Sequence, residues 1–234
     1  MESHISLEAA KEAGAYIEKR IFDNYNKSIL FIISGGSSLA VLEHINPEKI
    51  SKSTTLVVTD ERFTNDLVGN NFLQLQQTIF YSKAREVGVQ FISTIPLDNE
   101  RHEQFAERIQ KQIESYYSEN LNSYTIGLFG IGEDGHTASI FPTTEIEFNT
   151  AYKSDSYYVP VTQPEQKYPF RATVTPSFIE EKINDVVLYA VGSTKCDNIL
   201  KYMHNKNFAH HEIPALIPAQ HPSSILFTDC QTLQ

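Results

Sequence analysis

The sequence predicts a single α/β domain over residues 1–234, built on a mostly parallel β-sheet. Three observations carry that prediction. Short, continuous apolar runs recur along the chain and alternate with segments of helical period. No linker-like tract and no internal repeat divides the sequence. The 234 residues, 41% of them hydrophobic, suffice for one large core.

Taken in order, the chain opens on a helical pattern over residues 5–22, where Ile5, Ala9, Ala13, Ile17 and Ile21 recur every four positions. SILFIIS (28–34) reads as a strand buried on both faces, being short, Ile-rich and bounded by turn residues. TTLVVT (54–59), YTIGLFG (124–130), DVVLYAV (185–191) and SILFTD (224–229) share the same pattern. Between them, Phe105, Ile109, Ile113 and Tyr117 share one helical face, and TKCDNILKYMHN (194–205) predicts another helix. Phe91–Ile95, Tyr157–Val161 and Arg171–Thr175 are shorter strand candidates, suited to sheet edges or antiparallel pairing.

The formal net charge of -10 argues against nucleic acid or an anionic membrane as the partner. It leaves room for a small anionic ligand, which needs only a local cluster of Arg or Lys. No apolar run is long enough to span a membrane, and the acidic start MESHISLEAAKEAGAYIEK lacks the features of a signal peptide. Cys196 and Cys230 stand in no CxxC pattern and are expected to be small, buried, unpaired residues. These features together predict a cytoplasmic protein.

In α/β sheets ligands bind beyond the carboxyl ends of the strands, so the residues just past each strand are the informative ones. After the first comes SGGSS, then the helix-like LAVLEHI. Gly35 and Gly36 allow close backbone approach to an anion, and Ser37 and Ser38 offer hydroxyl groups at a helix start. The same residues also suit an ordinary strand-to-helix turn. After the second strand stands Arg62, a candidate phosphate clamp, with Asp60 or Glu61 placed to hold it; a plain surface ion pair is the alternative. Asn70 and Asn71 read as helix caps. Beyond the strand at 124–130 lies GIGEDGHTASIFP (130–142). It sets His136 in a Gly-rich turn beside Asp134 and ahead of a Thr-Ala-Ser helix start. An imidazole there suits proton transfer near neutral pH. Lys195, after Gly192-Ser193-Thr194, and Arg171 are further cations that could reach an anion or simply face solvent.

Together SGGSS, DERF, Asn70-Asn71, GIGEDGHTASIFP, RATVT, GSTK, IPALI and FTD resemble the 6-phosphogluconolactonase family, within the superfamily that also holds glucosamine-6-phosphate deaminases. The resemblance implies a Rossmann-like α/β sandwich without a nucleotide. It implies catalysis by His136 as the base, with Asp134 orienting the histidine or its water. It further implies phosphate and sugar contacts from Gly35, Gly36, Ser37, Ser38, Arg62, Arg171 and Lys195. The implied reaction is hydrolysis of 6-phospho-D-glucono-1,5-lactone to 6-phosphogluconate in the oxidative pentose phosphate pathway. No cofactor is expected, and no metal, since the histidines form no ligand motif. The expected partner is the phosphorylated lactone, bound by a monomer or a small homo-oligomer. A deaminase or isomerase, or a non-catalytic sugar-phosphate sensor, are the alternatives; the deaminases continue past the histidine with Ile-Ala-Phe-Asn-Glu, which Thr137–Pro142 does not match. The chain departs from the family pattern at Phe63-Thr64, where Val-Pro is usual. It departs again at PEQKYPF (164–170), where only Lys167 remains of a basic, proline-containing stretch.

Overall fold

A computed structural model describes residues 1–50, 52–196, 199 and 208–231. The main sheet holds β1 (Glu2–Ile5), β2 (Ser28–Ile33), β3 (Thr54–Val58), β5 (Gln90–Phe91), β6 (Ser123–Gly130), β9 (Asp185–Ala190) and β10 (Ser224–Thr228). Its order is β1-β10-β9-β6-β2-β3-β5, and every pairing is parallel. A second, antiparallel sheet joins β4 (Asp60–Arg62), β8 (Phe170–Val174) and β7 (Tyr158–Thr162) in that order.

The strand period of two sends alternate side chains to opposite faces, and both faces are buried. Ile29, Phe31 and Ile33 enter one core with Leu56, Val58, Ile126 and Leu128. Leu30 and Ile32 enter the other with Val57, Val186 and Leu188. Helices α1 (Ala9–Asp23), α2 (Leu39–Leu42), α3 (Asn71–Gln76) and α4 (Ile79–Glu86) cover the first face. Helices α5 (His102–Glu119), α6 (Glu145–Tyr152), α7 (Pro176–Lys182) and α8 (Leu216–Ala219) cover the second, together with the small sheet. The result is a three-layer α/β/α sandwich. Burying a side chain as large as Phe31 contributes about 2–3 kcal/mol, so the central strands hold the frame rigid for whatever sits on their ends.

Several expectations change. The opening helix starts at Ala9, not Ile5; residues 2–5 form an edge strand instead, fixed by pairing to β10 and by His4 stacking on Phe227 at 5.0 Å. LAVLEHI yields only the four-residue α2, preceded by a 3-10 turn over Gly36–Ser38. The strand expected at Phe91–Ile95 stops at Phe91, because Arg108 takes the carbonyls of Ser93 and Ile95, both at 2.9 Å. Thr137–Ile140 closes a tight turn by mutual backbone hydrogen bonds and begins no helix. Residues 193–196 and Ile199 are helical, and the other residues of the helix expected over 194–205 lie outside the described residues. Cys196 and Cys230 are joined in a disulfide, contrary to the expectation of unpaired thiols. Both come just after neighbouring strands, β9 and β10, and the sheet brings their Cα atoms to 5.3 Å, within bonding range. Among the described residues, no helix is long and apolar enough to cross a membrane.

Candidate active site

Successive strands run from β2 outward through β3 to β5, then the chain returns to place β6 on the other side of β2. The loops after β2 and β6 therefore part at the switch point of the sheet, where a crevice forms. A cavity of about 300 Å³ opens there, and Gly35, Gly36, Ser37, Ser38, Arg62, His136, Arg171 and Lys195 all line it. Asp134 is not on the cavity wall; it stands behind His136.

The histidine loop is folded almost entirely on itself. The Gly130 N–H donates to Ser34 Oγ at 3.3 Å, and Thr137 Oγ1 donates back to the Gly130 carbonyl at 2.9 Å. Gly132 must be glycine, because a Cβ there would collide with the His136 ring. The Gly132 N–H donates to the His136 carbonyl at 2.8 Å. Gly135 turns the chain at φ 89°, a left-handed conformation open to glycine. Asp134 Oδ1 accepts both the His136 backbone N–H (3.0 Å) and its ring Nδ1–H (2.5 Å). Burial works against ionisation of Asp134, but the hydrogen bonds and charge of His136 outweigh it and hold the carboxyl below its usual range. A carboxylate facing Nδ1 favours the tautomer with the proton on Nδ1, in which Nε2 of the neutral ring carries the free lone pair. Phe141 packs against the ring, centroids 4.8 Å apart.

The cations come from the small sheet. Arg62 and Arg171 are direct partners across the antiparallel β4–β8 ladder. Like charges in that register repel, and an anion shared between them would relieve that repulsion. Arg62 Nη1 donates to the Gly69 carbonyl (3.0 Å) and to Asn71 Oδ1 (2.9 Å), while its buried Nε has no partner. Neither expected holder of this guanidinium touches it. Glu61 instead accepts the Arg62, Asn71 and Phe72 backbone N–H groups and the Thr94 hydroxyl; full burial pushes its carboxyl up to about 8, against the pull of those four donors. Asp60 accepts from Ser139 Oγ at 2.6 Å and from Thr59 Oγ1 at 3.1 Å. Arg171 Nη1 donates to the same Ser139 Oγ at 3.3 Å, and its guanidinium lies 5.2 Å over the Phe141 ring. Burial lowers the Arg171 pKa, and Asp60 opposes that. Lys195 Nζ reaches Ser37 Oγ at 3.5 Å; burial lowers its pKa, and Glu133 opposes.

Asn70 is a helix cap as expected, accepting the Leu73 N–H at 2.8 Å. Asn71 is not. Its amide donates to the Asp60 carbonyl (2.8 Å) while its oxygen holds Arg62. It also explains Gly35, where a Cβ would run into Asn71 Oδ1. Sequence reasoning gave Asn71 and Asp60 other roles and did not single out Ser139, whose bond to Asp60 spans 79 residues of chain. Ala138, on the cavity wall, is held at φ 50°, a strained conformation for a residue with a side chain.

A histidine held by a carboxylate and two facing arginines on one cavity define a protein able to do acid–base chemistry on an anionic ligand. The family model described as glucosamine-6-phosphate isomerases/6-phosphogluconolactonase matches residues 5–226, and the chain belongs to that family of sugar-phosphate enzymes. No curated protein matches it. Among solved structures, a 6-phosphogluconolactonase from Shewanella baltica OS155 has a TM-score of 0.74 at 20% identity, covering 97% of this chain and 96% of that one. A 6-phosphogluconolactonase from Trypanosoma brucei has a TM-score of 0.71 at 18% identity, covering 99% and 98%. A monomeric glucosamine-6-phosphate deaminase has a TM-score of 0.75 at 18% identity, covering all of both chains. At these identities the likeness is one of fold, and it is shared by lactonases and a deaminase.

Proposed function

We propose that this protein is a 6-phosphogluconolactonase that hydrolyses 6-phospho-D-glucono-1,5-lactone, with His136 as general base. The observation that carries this reading is His136, fixed by Asp134 with Nε2 free, on the same cavity as the Arg62–Arg171 pair. The continuation Thr137–Pro142 supports a lactonase over a deaminase.

A lactone is an activated ester and needs little beyond a positioned water. His136 Nε2 takes a proton from that water as its oxygen bonds to the lactone carbonyl carbon. The imidazolium so formed is stabilised by the Asp134 carboxylate. As the tetrahedral adduct collapses, the carbon–ring-oxygen bond breaks and the imidazolium returns the proton to the departing ring oxygen. The product is the open-chain acid, which ionises to 6-phosphogluconate. The phosphate sits between Arg62 and Arg171 near the Gly35–Ser38 turn and Lys195, so that remote binding orients the carbonyl over the histidine.

The test is a pair of assays on the purified chain. Hydrolysis of the phosphorylated lactone should run well above its spontaneous rate, and glucosamine 6-phosphate should release no ammonia. The deaminase reading is kept by the fold shared with the glucosamine-6-phosphate deaminase, and ammonia release would establish it instead. Binding of 6-phosphogluconate with neither turnover would mark a sensor.

A further inference from the structure

The two arginines are aimed by two backbone carbonyls, and the loops that carry those carbonyls are fastened to each other. Arg62 Nη1 donates to the Gly69 carbonyl at 3.0 Å, and Arg171 Nε donates to the Tyr168 carbonyl at 3.0 Å. The Tyr168 hydroxyl donates to Asp66 Oδ2 at 2.5 Å. That bond lowers the Asp66 pKa below its ordinary value. The Asp66 carbonyl in turn accepts the Gly69 and Asn70 N–H groups, at 3.0 and 2.8 Å, so the carboxylate is anchored to the turn that presents Gly69. The Tyr168 ring also lies flush on that turn: a Cβ on Gly69 would be 2.7 Å from Tyr168 Cζ. These are the same two loops, after Phe63-Thr64 and within PEQKYPF, at which the chain departs from the family pattern.

We infer that Tyr168 and Asp66 form a clasp that sets the spacing of Arg62 and Arg171, and so selects a phosphorylated over an unphosphorylated sugar lactone. Both are positioning residues; neither lines the cavity. A phosphoryl group carries three terminal oxygens and up to two charges, and it draws on both guanidiniums at once only if their separation is fixed. With the clasp open, the β4–β8 ladder still holds the two backbones in register and each arginine keeps its own carbonyl, but the two carbonyls that aim the guanidinium ends are free to drift apart. The hydrogen bonds of Asp66 and Tyr168 reach no residue of the histidine loop, and Arg171 keeps its bond to Ser139 and its place over Phe141, so the chemical step should hold.

The inference rests on the reading of the arginine pair as the phosphate site, and the experiment separates the two. The full chain, Tyr168→Phe, Asp66→Ala and the double variant are assayed on 6-phosphogluconolactone and on unphosphorylated glucono-1,5-lactone. Each single variant should raise KM for the phosphorylated lactone about tenfold, the effect of losing one hydrogen bond to a charged group. The double variant should add nothing further, kcat should hold within about twofold, and kcat/KM for the unphosphorylated lactone should not change, as for a defect confined to remote binding. Equal losses on both substrates, or a fall in kcat with KM unchanged, overturn the clasp while leaving the lactonase reading intact. A wild-type chain with no preference for the phosphorylated lactone overturns both. Asp66 is exposed and Tyr168 half-buried, and an unchanged melting temperature in the variants excludes misfolding as the cause.

Discussion

The histidine loop and the arginine ladder meet at one cavity but are made in opposite ways. The loop over residues 130–141 is held by its own members: Gly132 makes room for the ring, Asp134 grips it, Thr137 ties back to Gly130 and Phe141 backs it. The ladder joins Arg62 and Arg171 from distant parts of the chain, and each depends on partners outside its own strand. The locally built part fixes a single atom, Nε2, where the chemistry needs it. The remotely built part fixes a separation, which is what binding an extended anion needs. Chemistry and anchorage should therefore fail separately.

The largest expected effect is on the chemical side. His136→Ala should lower kcat about a thousandfold, the usual worth of a positioned general base, with KM little changed in steady-state kinetics. A variant that keeps its turnover would remove His136 from the mechanism. Next is Gly132→Ala, whose added methyl must push the ring aside. Displacement of about 1 Å can cost roughly a hundredfold in rate, so kcat should fall about that far while phosphate affinity persists. Were KM to rise instead, the two regions would be coupled and the separation of chemistry from anchorage would be wrong.

On the anchoring side the effects are smaller. Arg62→Lys or Arg171→Lys keeps the charge but loses the planar fork, and should raise KM about tenfold at nearly constant kcat. The smallest effect is on stability against pH. The Asp134 carboxyl is depressed in the folded state, so its contact with His136 stabilises the fold above the ordinary Asp pKa of about 3.9 and is lost as pH falls through the lower folded value. The melting-temperature gap between wild type and Asp134→Asn should accordingly be constant near neutral pH and narrow in acid. A gap independent of pH would show that the contact carries no charge.

The same contrast explains what the sequence made legible. The five long strands were readable because each is a continuous apolar run buried on both faces. GIGEDGHTASIFP was readable because the contacts that hold His136 itself, from Gly132, Asp134 and Phe141, lie within the segment, whereas the outward bonds of Ser139 to Asp60 and Arg171 were not. Strand β4 was not: Asp60-Glu61-Arg62 has no apolar signature and is a strand only because β8 pairs with it. Asn71 looked like a cap beside a true cap, and only the approach of Gly35, just past β2, and of Arg62 reveals its other work. Glu61 looked like an ion-pair partner, but its carboxylate is consumed by backbone N–H groups of the next helix. The cysteines were read as unpaired because nothing in their spacing reports that β9 and β10 are neighbours.

The edge strand β1 has a consequence for how the molecule is made. Its register pairs Glu2 with Ile225 and Ile5 with Thr228, so among the described residues the earliest strand of this sheet in chain order bonds to the latest. Until β10 leaves the ribosome, residues 2–5 have nowhere to go, and the adjacent sheet edge stays open behind them. A long apolar segment left waiting in that position would invite pairing with a neighbouring chain. Four residues, Glu-Ser-His-Ile, are short and polar enough to wait in water. The trait that hid this strand from a hydrophobicity reading is thus the one that lets a nascent chain carry it safely until the sheet can close.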